Sequence, residues 1–180
     1  MLSAFFAFDR FLMRWTARLA MTFLVLAVVV AFYQVVTRFV FEQPSTWSEV
    51  TARACAIWMV YLGIVVAFRA GTMMAVDFVL ERVRGGARLV LIGIIAGVTV
   101  GVLGVLVWSG IAMVQRTQFQ MLAGIDNPFT GRGIPIAVVY AAIPTGAALA
   151  IVAVISRAVE SAREAMAGTA RPVDRTVLEV

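Results

Sequence analysis

Residues 19–68 hold two apolar runs joined by a segment too short to fold alone, with Arg38, Glu42, Glu49 and Arg53 around the join. This charged hairpin restricts the fold more than any other stretch. The second apolar run, residues 54–68, would reach only ~22 Å as a helix at ~1.5 Å per residue, against a hydrocarbon core of ~30 Å. The helix must therefore begin earlier, near Trp47. That start carries Glu49 and Arg53 to the edge of a leaflet as an i, i+4 pair on one face. Arg38 reaches a similar depth from the other side, after the run 19–36. Ionisable groups near the bilayer centre cost roughly 2.5–3.5 kcal/mol each by insertion scales, less near the interface, and usually pair or face protein. Two readings follow. The charges snorkel to headgroups, or they pair with one another or with a partner protein, which makes Arg38, Trp47, Glu49 and Arg53 candidate assembly residues.

A hydrophobic content of 62% and a mean hydropathy of +0.97 far exceed those of an ordinary soluble domain. The chain reads as an all-α integral membrane protein. A secretory leader is the rival for the first segment, but its apolar core would be only ~7–15 residues with a small-residue cleavage site. The run from Leu19 is longer, and Phe39 to Glu42 offers no such site. The net charge of +5 is carried wholly by arginine, in short segments beside apolar runs. A nucleic-acid binder would instead gather its arginines on a soluble face. The chain has no histidine, which removes bis-histidine haem ligation, histidine zinc sites and Ser-His-Asp catalysis together. Cys55 stands alone, inside the second span, so there is no disulfide framework.

Four spans can be drawn, at about 15–41, 47–68, 89–114 and 134–155, in a single transmembrane domain over residues 1–160, with a tail at 161–180. Eleven arginines (10, 14, 18, 69, 82, 84, 88, 157, 163, 171 and 175) fall on one side of these spans and four (38, 53, 116 and 132) on the other. The positive-inside rule then places both termini, the tail and the middle loop in the cytoplasm, with the hairpin outward. Within that loop Asp77, Glu81, Arg84 and Arg88 recur at i, i+4, i+7 and i+11, and Met73, Val76, Leu80 and Val83 form a second stripe. The pattern predicts a short amphipathic interfacial helix ended by Gly85 and Gly86. A charged connector with chance periodicity is the plainer alternative.

Gly93, Gly97 and Gly101 lie four residues apart in the third span, a doubled small-xxx-small row that predicts a close helix contact within the chain or with a partner. In the fourth span Pro135 suits a first helical turn, and Pro144 should remove a backbone bond and kink the helix near its middle. The outer connection from Gln115 to Gly133 is read as an extension of the third helix followed by a turn. Trp15, Trp47 and Trp108 lie near span ends, as interfacial aromatics do. Trp58 does not, and is expected between helices.

A self-sufficient ion-coupled transporter normally carries an ionisable or broken-helix site near the bilayer midplane. No span here has an acid or base at its centre, and Gln34 and Thr99 are the main polar groups at depth. No phosphate loop, metal-ligand cluster or paired carboxylates stand out, so no catalytic, cofactor or metal residues are assigned and the chain is read as no enzyme. A four-span drug exporter would need an acidic residue in its first span for proton coupling, and none is present there.

The string Gln34-Val35-Val36-Thr37-Arg38-Phe39-Val40-Phe41, then Trp47-Ser48-Glu49, Arg53, Trp58, Gly63, Arg69-Ala70-Gly71 and Val76-Asp77, has a specific order. So does the later set Gly133-Ile134-Pro135, Tyr140 and Ile143-Pro144-Thr145-Gly146. Together they resemble the small membrane (Q-type) subunit of the tripartite ATP-independent periplasmic (TRAP) transporters, over roughly residues 35–146. The chain departs from that pattern in having Met73 where the family often has histidine, Ser48-Glu49 in place of paired acids, and a longer outer loop around Thr130 to Arg132.

The resemblance implies a multi-pass protein of the bacterial inner membrane, without catalysis or cofactor of its own, bound to a large membrane subunit that moves substrate. A periplasmic binding protein would deliver the substrate, generally an organic carboxylate taken up with sodium ions. The expected role is to brace the large subunit and help present the docking surface, with no nucleic-acid partner and with Arg38, Trp47, Glu49, Arg53, Gly93, Gly97 and Gly101 as the candidate contacts. Two alternatives belong to other classes: a small four-helix transporter acting as a homo-oligomer, and a membrane anchor for an enzyme complex.

Overall fold

A computed structural model describes residues 2–43, 45–70, 86–126 and 133–167. Its elements in chain order are α1 (Leu2–Phe39), α2 (Thr46–Ala70), α3 (Gly86–Thr117), β1 (Met121–Asp126), β2 (Gly133–Pro135), α4 (Ala137–Tyr140) and α5 (Ala142–Ala167). Four helical segments are long and apolar enough to cross a membrane: Asp9–Phe39, Thr46–Ala70, Gly86–Thr117 and Ala137–Arg163. Their number is the expected four, and α2 starts at Thr46, next to the Trp47 near which the helix is expected to begin. The expected interfacial helix and most of the tail lie outside the described residues. The last helix runs on to Ala167, past the end drawn for the fourth span.

The helices pack in single file, with α1 along α2, α2 along α5 and α5 along α3. The inward stripe of α1 runs Asp9, Met13, Thr16, Ala20, Phe23, Ala27, Val30, Gln34 and Thr37, in alternating steps of four and three. That 3.5-residue period is the seam of a coiled coil, here formed with the antiparallel α2. The rest of α1 is largely exposed, including Val25, Val28, Val29 and Phe32. In a bilayer these residues meet lipid tails or another protein.

The core is built from small side chains. Ala147, Ala150, Ala153 and Val154 of α5 cluster with Val65 of α2, Leu103 of α3 and Met13 of α1. Because lipid tails are as apolar as leucine, membrane helices associate through close packing, which small residues permit.

Two features depart from the expected helical reading. The outer connection forms a two-stranded antiparallel ladder, β1 with β2, whose register pairs Met121 with Pro135 and Asp126 with Gly133. Pro135 therefore ends a strand and does not open a helix; its missing N–H is tolerated at a ladder end. The fourth span is interrupted at Ala141, between α4 and α5. Pro144 cannot donate to the Tyr140 carbonyl, so the break forms as its chemistry requires, but in the first third of the span. The chain bridges it with the Ala141 N–H on Ala137 O at 2.8 Å and the Thr145 hydroxyl on Ala141 O at 2.6 Å.

Candidate functional site

At the hairpin end, α1 stops at Phe39 and the chain turns through Glu42, whose φ of 54° lies in the left-handed region. The Gln43 N–H closes on the Thr37 carbonyl at 3.0 Å. Helix α2 then opens with the Ser48 hydroxyl donating to Ser45 O at 3.0 Å. One turn on, Arg53 Nη2 donates to Glu49 Oε1 at 2.7 Å, as the spacing predicts, with both side chains mostly exposed. Trp47 packs on Tyr33 of α1 with ring centroids 5.4 Å apart. Arg38 joins neither; its guanidinium carbon lies 5.8 Å from the Phe39 ring centroid. The hairpin thus brings Glu49 to Arg53 and Trp47 to α1, and leaves Arg38 outside that group.

The glycine row of α3 faces away from its neighbours. A Cβ placed on Gly93, Gly97 or Gly101 would find no heavy atom of another described element within 4 Å, and the same holds for Gly104. Beside the row Val90, Ile94, Val98, Val102 and Val105 are exposed. The close approaches lie elsewhere. A Cβ on Gly146 would come 2.8 Å from Tyr61 Cβ, and one on Gly110 would come 2.8 Å from Pro144 Cδ. The row that packs inside the chain is Ala142, Gly146, Ala150 and Ala153 of α5, all buried. Its i, i+4, i+8, i+11 spacing was available as a sequence signal, muted because alanine is common in any apolar helix.

Trp58 ties three elements together. It stacks on Phe23 of α1 with centroids 5.9 Å apart, and its indole N–H donates to the Val138 carbonyl of α4 at 3.2 Å. Thr99 spends its hydroxyl on Ile95 O of its own helix. It presents no organised polar site at depth.

The opposite end, where α1 begins and α2 and α5 finish, holds a cluster that sequence reasoning missed. Arg69 Nε donates to Asp9 Oδ2 at 2.6 Å, while Nη1 and Nη2 grip the Glu160 carboxylate at 2.6 Å each. Ser156 donates to the other Asp9 oxygen at 3.3 Å. Asp9 is 1% exposed and the Arg69 side chain 11%. A bidentate guanidinium–carboxylate fork adds geometric specificity to its strength, so one side chain fixes α1, α2 and α5 together. The available signal was modest: Asp9 sits in register with the inward stripe of α1, and Arg69 is seven residues beyond the buried Leu62 on α2.

No group of three or more histidine, cysteine or acidic side chains that could hold a metal ion occurs among the described residues. No curated protein matches the chain. The family model for the DctQ component of tripartite ATP-independent periplasmic transporters matches residues 27–164. That match contains the charged hairpin, Arg69, the glycine row, the proline-broken last span and Glu160. The chain belongs to the family of DctQ components of tripartite ATP-independent periplasmic transporters, as a multi-pass membrane protein.

Proposed function

We propose that the chain is the non-catalytic small subunit of a three-part uptake system, bracing a large membrane subunit and helping to dock a periplasmic binding protein. In this reading the complex sits in the bacterial inner membrane and takes up an organic carboxylate with sodium ions. Both termini of the small subunit face the cytoplasm, following the arginine asymmetry. The observation that carries the proposal is the open α3 face. A row of glycines with none of the described residues against it lets another backbone approach closely, and the described helices do not use it. Thr99 bonding to its own helix agrees with a subunit that carries no substrate site.

The hairpin end, with Arg38, Trp47, Glu49 and Arg53, then faces the periplasm, where a binding protein would arrive. The test is co-purification of the tagged chain, extracted in mild detergent at native levels, with a large multi-span subunit of the same transporter class identified by mass spectrometry. Purification of the chain alone under those conditions overturns the proposal. So does substrate uptake into proteoliposomes holding only this chain.

A further inference from the structure

We propose that the face of α1 carrying Arg10, Arg14 and Arg18 seats the phosphate groups of anionic phospholipids. The three arginines recur every four residues, all are exposed, and they share one side of the helix. The other side, with Asp9, Met13 and Thr16, is buried against the bundle. None of the three meets a carboxylate among the described residues, where Glu49 pairs with Arg53, and Asp9 and Glu160 both pair with Arg69. The acid next to Arg10 in sequence, Asp9, is already engaged by Arg69 and turned inward. Among the described residues the stripe is therefore a run of positive charge without an acidic partner.

Depth and neighbours name the occupant. Residues 19–36 reach ~27 Å at ~1.5 Å per residue, close to the ~30 Å of the hydrocarbon core. Arg18 then stands at the core edge, and Arg14 lies ~6 Å and Arg10 ~12 Å further out, across the headgroup layer and its water edge. Beside them Phe11 and Trp15 are exposed, with rings edge to face at 6.0 Å, and Arg18 lies 5.8 Å from the Trp15 ring centroid. Interfacial aromatics occupy that depth. A protein seated on this face would have to bring carboxylates to headgroup level, whereas phosphodiesters are already there. The inference does not depend on which leaflet holds this end.

The test uses the full chain in detergent, offered phosphatidylglycerol and phosphatidylcholine of the same acyl composition, with retained lipid read by native mass spectrometry. Phosphatidylglycerol is retained in preference, and the preference falls by about fivefold for each arginine replaced by glutamine at positions 10, 14 and 18. The triple replacement weakens the topology signal, so Arg14→Gln alone serves as the variant expected to insert normally. It should still lower the preference, while Arg171→Gln/Arg175→Gln in the tail should leave it unchanged. Equal retention of the two lipids, or an unchanged preference in Arg14→Gln, overturns the proposal. Displacement by millimolar inorganic phosphate also overturns it, by showing an anion site without lipid character. A triple variant that loses the large subunit yet keeps its lipid preference assigns the surface to a protein partner instead.

Discussion

Arg69 and Glu160 lie 91 residues apart in sequence and meet through two hydrogen bonds of 2.6 Å, at the end of the bundle where α2 and α5 both finish. The third guanidinium bond, to Asp9, adds the start of α1. The value of such a cluster lies in what its disruption leaves behind. A buried carboxylate without its partner costs far more than the intact pair contributes.

Arg69→Met should therefore destabilise the purified chain by about 3–5 kcal/mol. Adding Asp9→Asn and Glu160→Gln should recover much of that loss, because no uncompensated charge then remains near the buried end. Thermal unfolding in detergent, followed by tryptophan fluorescence, gives both numbers. Simple addition of the single effects would show that the three groups are not coupled.

Gly146 and Gly97 should respond in opposite ways. Gly146→Ala forces its methyl against the Tyr61 Cβ and carbonyl and should cost about 1–3 kcal/mol by overpacking. Gly97→Ala meets nothing among the described residues and should leave the chain's stability unchanged or slightly improved. Gly97→Leu should instead reduce the yield of complex with the large subunit. An unaltered complex yield would remove the α3 face from the assembly interface.

Gly110→Ala should destabilise the α3–α5 contact by about 1–3 kcal/mol, since its Cβ would press on Pro144 Cδ at 2.8 Å and Ile143 Cγ2 at 3.1 Å. Pro144→Ala removes the nearest of these atoms, so the double variant should be more stable than the sum of the two single changes implies. Melting temperatures of the four proteins in the cycle decide this.

Glu49→Ala or Arg53→Ala should change the melting temperature little, because an exposed i, i+4 pair contributes roughly 0.3–0.5 kcal/mol. Their effect belongs to assembly. Either change should lower the yield of complex more than Arg175→Ala does, and equal yields would count against an interfacial role for the pair.

Local chemistry was legible and distant pairing was not. The four spans, the start of α2 near Trp47, the Glu49–Arg53 pair and the disruptive Pro144 depend on neighbours within one or two turns. Sequence spacing reports those directly. Arg69 looked like one more arginine marking the terminal side of the membrane, because nothing local reveals that its partners are 60 and 91 residues away. The glycine row announced a capacity for close contact but not who uses it, and among the described residues the close packing falls to Gly110 of α3 and to the small-residue row of α5. The β1–β2 ladder escaped notice because Met121–Asp126 is short, contains Gly124, and finds its partner only across the following loop.

The single-file order of the helices has a geometric corollary. Among the described residues, helices α1, α2, α5 and α3 lie side by side as a wall with two faces and two ends. Such a shape can stiffen a neighbour, widen its footprint in the membrane and hold its tilt against the pull of the bilayer, in the way a buttress serves a building whose rooms lie elsewhere.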